Sequence, residues 1–195
     1  MEIILGSESP RRKEILSYFS IPFTQAVSSF DEDSISFQGD PIAYTTTLAK
    51  EKGNALTLKY KNQPILTADT VVFIEGKIFN KPKNKEEAFS FLQELSNRWH
   101  SVFTAIALTY ADQQQVKAEE TKILFHSLTP DKINAYLDHV NFLDKAGGFA
   151  IQQSGGILVK RIDGCYYNVM GLPLTPLNEL LHVIGIDLWH HLKIL

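Results

Sequence analysis

The stretch PILTADTVVFIEGKIFNKP, Pro64 to Pro82, constrains the fold of this chain more than any other. Pro64 to Ile74 is an apolar, β-branched run of strand composition, and Glu75-Gly76 turns it back through Lys77 to Phe79. A sheet containing this hairpin has at least one antiparallel pair. One residue breaks the apolar run. An ionised Asp69 must lie exposed at a strand end, be paired, or sit near a metal; otherwise its pKa rises. An edge-strand aspartate bonded to nearby backbone amides satisfies the same letters.

A two-residue turn at Glu75-Gly76 sets Lys81 opposite Thr70, on the face away from Asp69. A third turn residue, or one bulge, moves Lys81 to the face of Asp69. In either register Lys81 comes close to the Asp69-Thr70 end. A carboxylate, a hydroxyl and an ammonium at one strand end suit a site more than a core. A surface Asp–Lys pair, contributing about 0–1 kcal/mol, uses the same residues.

Around the hairpin, strand and helix patterns mix without regular βαβ alternation, which predicts an α/β fold with a mixed sheet. Further strands are expected at Glu2–Leu5, Phe23–Val27, Trp99–Tyr110, Ala118–Phe125 and Ile157–Ile162. Helices are expected over Pro10–Phe19, Pro41–Lys59, from the Asn84 cap to Leu95, over Pro130–Leu137 and over Thr175–Ile184. In the second of these, Tyr44, Leu48 and Ala55 fall near one stripe. Ser28 to Asp40 is acidic and Ser-rich and reads as a loop.

At 195 residues and 44% hydrophobic content, a sizeable core is feasible in one domain, with or without two lobes. A net charge of −3 argues against a general nucleic-acid or anionic-membrane surface, so positive charge must act locally. The single Cys165 cannot form an internal disulfide, which permits a reducing compartment. The opening MEIILGSESP lacks the basic and long apolar regions of a signal peptide, and no apolar run approaches a membrane span. A soluble, cytoplasmic protein is expected.

Local positive charge is concentrated in LGSESPRRKEIL, Leu5 to Leu16. Ser9 reads as an N-cap and Pro10 as the first helical residue. Arg11, Arg12 and Lys13 then occupy the first turn, where each cation is misplaced by about 0.3–1 kcal/mol against the helix dipole. A bound anion answers the misfit: Ser7 and the first-turn amides donate to it, and Arg11 and Arg12 face it. A solvated arginine cluster is the plainer reading, and no G-x-x-x-x-G-K-[ST] loop is present.

Other constellations are weaker. The histidines show no metal-ligand spacing, His190-His191 reads as a tail, and Cys165 reads as a small buried hydrophobe. Glu32, in FDEDS, suits a solvated acidic loop or a metal. In FLDKAGGFAIQQSGG, Gly147-Gly148 and Gly155-Gly156 permit close backbone approach, and Asp144-Lys145 is a charged pair amid apolar residues. Gln152 offers a donor and an acceptor, which suits a nucleobase edge or an ordinary surface turn.

Taken in order, LGSESPRRKEIL, YTTTLAKEKG, ADTVV, NKP, LSNRWHSVFTAIAL, DKAGGFAIQ and YYNVMGLPL resemble the Maf family of septum-formation-inhibitor-like nucleoside triphosphate pyrophosphatases, over nearly the whole chain. The resemblance implies a single domain over residues 1–195. Its fold would be an elongated, two-lobed mixed-sheet α/β fold, related to the inosine triphosphate pyrophosphatases, with a central cleft. It implies hydrolysis of a nucleoside triphosphate to the monophosphate and pyrophosphate, dependent on a divalent cation, Mg2+ or Mn2+. Carried over by position, Asp69 is catalytic, as base or water activator, and shares the metal with Glu32. Ser7, Arg12, Lys52 and Lys81 bind phosphate, and Arg11, Thr70 and Gln152 select the base.

The combination of ADT with DKAG and IQ is similar to the branch acting on dTTP and UTP, rather than the sister branch acting on 7-methyl-GTP. The partner expected is therefore a nucleotide, with no nucleic acid and no membrane, and a homodimer is left open. The chain departs from the family pattern in places, Ile106 for the common valine among them. Glu8 replaces a usually small or uncharged residue, which weakens anion binding, while Asn97, Ala105 and Gln153 stand where glycine is common.

The implied chemistry is physically coherent. Negative oxygens shield the attacked phosphorus, so cations and a divalent metal must neutralise charge before water approaches. A nucleotide-binding regulator of cell division or septum formation, without significant turnover, would use the same pocket. A water-activating carboxylate favours the enzyme.

Overall fold

The computed structural model describes residues 1–193. Seven strands form one mixed sheet: β1 (Ile3–Gly6), β2 (Phe23–Gln25), β3 (Ile65–Ile74), β4 (Lys77–Phe79), β5 (Trp99–Tyr110), β6 (Gln113–Phe125) and β7 (Val159–Asp163). Their order is β2-β1-β3-β5-β6-β7, with β4 also paired to β3. β1 runs parallel to β2 and β3, and the remaining pairs are antiparallel. Six helices surround it: α1 (Pro10–Ser17), α2 (Pro41–Thr57), α3 (Lys85–Leu95), α4 (Pro130–Leu137), α5 (Tyr166–Met170) and α6 (Leu174–His182).

The apolar letters of β3 follow from burial on both faces. Leu66, Ala68 and Val72 join the large core under α1, α3, α4 and α6, while Ile65 and Val71 face the side that α2 covers with Leu48, Ala49 and Leu56. Local capping sets the helix starts. Asp40 accepts from the Ile42 and Ala43 amides, and Asn84 accepts from Glu87 while Glu87 reaches back to the Lys83 amide. Within α2 the inward face includes Tyr44, Leu48, Lys52 and Gly53, and Ala55 turns outward against expectation.

The hairpin forms with the two-residue turn. Ile74 pairs with Lys77, and Glu75 and Gly76 both have positive φ (47° and 83°), the primed geometry that matches strand twist. β4 then stops at Phe79, so Lys81 leaves the sheet before any register with Thr70 is made. A second tight turn at Ala111-Asp112 lets β6 begin at Gln113 rather than Ala118. Polar, outward-facing letters hid this arm; its backbone is satisfied by β5 from Gln113↔Tyr110 onward.

Smaller differences have local causes. The helix α5 is too short for periodicity to reveal. His190-His191 is no loose tail: it ends a 3-10 turn at Leu188–His191, and the Ser20 amide donates to the His191 carbonyl (2.7 Å). Cys165 is half-buried rather than buried. Asn97 and Gln153 sit at φ 55° and 54°, the left-handed region where glycine carries no penalty. Among the described residues no helix is long and apolar enough to cross a membrane.

Candidate active site

The site arises from a gap in sheet pairing. One edge of β3 is paired with β5 continuously from Ile65 to Phe73. Its other edge is paired with β1 only over Ile65–Thr67 and with β4 only over Val72–Ile74. Among the described residues, Ala68 to Val71 therefore has no strand neighbour on that side. Alternation sends Asp69 to the α2 face and Thr70 to the opposite face, and both line one cleft of about 240 Å³.

On the α2 face, Lys52 meets Asp69. Close packing of α2 on the sheet makes this contact: a Cβ at Gly53 would come 2.8 Å from Thr109 Oγ1, and the Thr67 hydroxyl donates to the Ala49 carbonyl (2.6 Å). Lys52 Nζ lies 2.6 Å from Asp69 Oδ1 and 2.8 Å from Glu32 Oε2. Glu32 starts a 3-10 turn capped by Asp31, in a loop whose Phe30 and Phe37 pack near Tyr44 and Phe73. One ammonium thus gathers two carboxylates from distant segments.

Burial dominates the electrostatics of Asp69 and, with Glu32, holds its carboxyl above the ordinary range despite Lys52 and Arg12. Burial also pushes Glu32 upward, but the charge and hydrogen bond of Lys52, backed by Lys81 and Arg12, carry it below the usual value. The two carboxyls are therefore driven apart. Asp69 and Glu32 are the pair able to hold a divalent cation through oxygen. Among the described residues no group of three His, Cys, Asp or Glu side chains comes together as a metal site.

On the other face, the cationic turn of α1 is claimed by the protein itself. Arg12 donates to the carbonyls of Gly171 and Ala68 (both 2.9 Å), to Ser7 Oγ and to Thr70 Oγ1 (both 3.1 Å). Burial pulls its pKa down to about 10, with Asp69 pulling upward, so it stays charged at neutral pH. Arg11 pairs with the Asp144 carboxylate (2.7 Å) and donates to the Asp144 carbonyl (2.9 Å). Lys145 holds the same carboxylate, and Asp144 falls below its usual range even though burial opposes that. Lys13 points to solvent. The first-turn misfit is thus offset by acceptors some of which lie far away in sequence.

The α1 N-terminus remains open to the cleft. Ser9 makes no side-chain cap, and Ser7 Oγ accepts from the Ser9 amide (3.2 Å). Lys81 and Glu8 are both exposed and both line the cleft. Gln152, next to the left-handed Gln153, has its Oε1 buried with no hydrogen-bond partner among the described residues. All nine expected residues, Ser7, Arg11, Arg12, Glu32, Lys52, Asp69, Thr70, Lys81 and Gln152, line this one cleft. Sequence reasoning missed Gly171, whose carbonyl holds Arg12. Gly171 ends α5 at φ 98°, and because α5 itself is not legible in the sequence, no signal marked it.

Residues 2–184 match the family model described as Maf-like protein. The dTTP/UTP pyrophosphatases of Chlamydia felis and Chlamydia caviae are each 44% identical to this chain over 98% of both lengths. The nucleoside triphosphate pyrophosphatase of Chlamydia muridarum is 41% identical over 98% of both. Among solved structures, the Staphylococcus aureus Ham1 protein aligns at 16% identity with a TM-score of 0.46, over 64% of this chain and 72% of that one. On the family match and these full-length relatives, the chain belongs to the Maf-like family.

Proposed function

We propose that this protein is a nucleoside triphosphate pyrophosphatase that hydrolyses dTTP and UTP to the monophosphate and pyrophosphate. The observation that carries the reading is Asp69: a buried carboxylate of raised pKa, at an unpaired strand edge, among Lys52, Arg12 and Glu32. A core aspartate serving only stability has no need of such a setting. Relatives named for this activity at 44% identity support the same conclusion.

In this reading Asp69 accepts a proton from the water that attacks the phosphorus, and pyrophosphate departs as the new P–O bond forms. A raised pKa makes Asp69 the stronger base of the two carboxylates. The open amides of α1, with Ser7, Lys52 and Lys81, neutralise phosphate charge, and Arg12 holds Ser7 and Thr70 in place. Glu32 and Asp69 would hold a divalent cation, which when bound supplies further charge neutralisation and a more acidic water. Arg11, Thr70 and Gln152 border the region assigned to the base, where the Gln152 side-chain amide offers a donor and an acceptor to a base edge.

The continuous sheet supports one domain, with two lobes meeting at the cleft, and a cytoplasmic setting accords with the free Cys165. The test is pyrophosphate release from dTTP, UTP, CTP, ATP, GTP and 7-methyl-GTP, with Mg2+, with Mn2+ and with a chelator. Fast turnover of dTTP and UTP that the chelator abolishes is expected. Tight binding with no turnover of any nucleotide would instead make this a nucleotide-binding regulator.

A further inference from the structure

Behind the cleft, Arg12 and Thr70 continue into buried polar groups, Thr104 and Asn168, that the chemistry above does not use. Arg12 Nη2 donates to Thr70 Oγ1 (3.1 Å), Thr70 Oγ1 lies 2.9 Å from Thr104 Oγ1, and Thr104 Oγ1 donates to the Asn168 carbonyl (2.8 Å). The Asn168 side chain anchors this end by donating to the Val102 carbonyl and to Thr121 Oγ1 (both 2.9 Å). Thr104, Thr121 and Asn168 have no exposed surface. The chain closes on itself, because Arg12 Nε also donates to the carbonyl of Gly171, just past the end of α5.

Proton counting sets the direction of every bond. A hydroxyl has one proton, and a carbonyl or a guanidinium has only one role each. The Asn168 carbonyl can only accept, so the Thr104 proton goes there. Thr104 then has only lone pairs for Thr70, so the Thr70 proton points at Thr104 and away from the cleft. Arg12 can only donate, so it occupies one Thr70 lone pair. What remains of Thr70 for a ligand is a single acceptor position.

We propose that Thr104 is a positioning residue for substrate selection. By accepting the Thr70 proton it makes Thr70 an acceptor toward the cleft, matched to the ring N–H that uracil has and cytosine lacks, and it holds Thr70 against Arg12. Without the Thr104 hydroxyl, Thr70 is free to turn its proton into the cleft and donate to a carbonyl. Selection by Thr70 then depends on a residue that never touches substrate. This rests on the pyrophosphatase reading for its kinetic consequence, though not for its hydrogen-bond direction.

Two measurements test it. Neutron diffraction of the unaltered, ligand-free protein should place the Thr70 deuterium toward Thr104 and the Thr104 deuterium toward the Asn168 carbonyl. A Thr70 deuterium directed into the cleft would overturn the proposal, whether or not the protein turns over any nucleotide or the variants fold. In kinetics, Thr104→Val should shrink the ratio of kcat/KM for UTP over CTP by about tenfold, the effect of misdirecting one buried hydrogen bond, and Thr104→Ser should restore it. The same Thr104→Val change in a Thr70→Val background should leave the ratio where Thr70→Val alone put it. An unchanged ratio in Thr104→Val, or an equal drop in both backgrounds, would reduce Thr104 to a structural role. Absence of turnover in the unaltered protein would count against the pyrophosphatase reading and leave the neutron result to decide this one.

Discussion

Replacing Lys52 by Met removes the ammonium that joins Asp69 to Glu32 while keeping much of its apolar stem. Asp69 and Lys52 are 6% and 8% exposed, so their contact is withdrawn from water. Removing one partner of a buried ion pair costs about 3–5 kcal/mol, because the other charge is left uncompensated. Here the Arg12 charge still acts on Asp69, Glu32 reaches solvent, and Asp69 can take up a proton, so the low end applies. We expect a loss of about 3 kcal/mol at pH 7, or roughly 6–12 °C in Tm for a chain of this length.

The pH dependence gives the sharper test. Burial already raises Asp69 above its unfolded pKa against the pull of Lys52, and without Lys52 the rise is larger. A carboxyl with a raised folded pKa costs stability at neutral pH, and that cost fades as pH falls through the folded pKa toward the unfolded value near about 4. Glu32, lowered by Lys52 in the unaltered protein, stabilises above its unfolded pKa and loses that contribution on acidification. Both effects narrow the gap between variant and parent at low pH. Thermal unfolding from pH 7 to pH 4, with a chelator present, should show the deficit shrinking, and adding Asp69→Asn should recover most of it. A variant as stable as the parent at pH 7, or a deficit that widens on acidification, would refute the reasoning.

Asp69→Asn should lower kcat by about 10²–10⁴, the range for a lost general base, with Tm and circular dichroism unchanged or slightly improved. Near-normal turnover in the folded variant would remove Asp69 from the chemistry. Arg12→Ala should both weaken triphosphate binding and destabilise the protein by about 2–3 kcal/mol, since four acceptors from three segments lose a charged donor. Calorimetry showing unchanged affinity together with an unchanged Tm would return Arg12 to the status of a solvated helix residue.

Much of the framework was legible because it is encoded within a few residues. The Asn84 cap, Pro130 at a helix start, and the Glu75-Gly76 turn each act over one turn of chain, and their elements formed where expected. Asp69 stood out for the same reason, as one carboxylate among apolar neighbours. The ordered motifs went further and named nine of the residues that line the cleft.

Their partners were not legible. Lys52 and Asp69 come from α2 and β3, and Glu32 from a loop before either, with nothing in their spacing to say that one ammonium joins them. Arg11 finds Asp144 across 133 positions, and Thr104 meets Asn168 across 64. The gap at Ala68 to Val71 exists only because β1 and β4 share one edge of β3 and stop short of each other. Periodicity and capping report which residues face inward. Which strand ends beside which, and hence where a buried charge meets its counter-charge, is decided only when the sheet closes and burial strengthens each pairing.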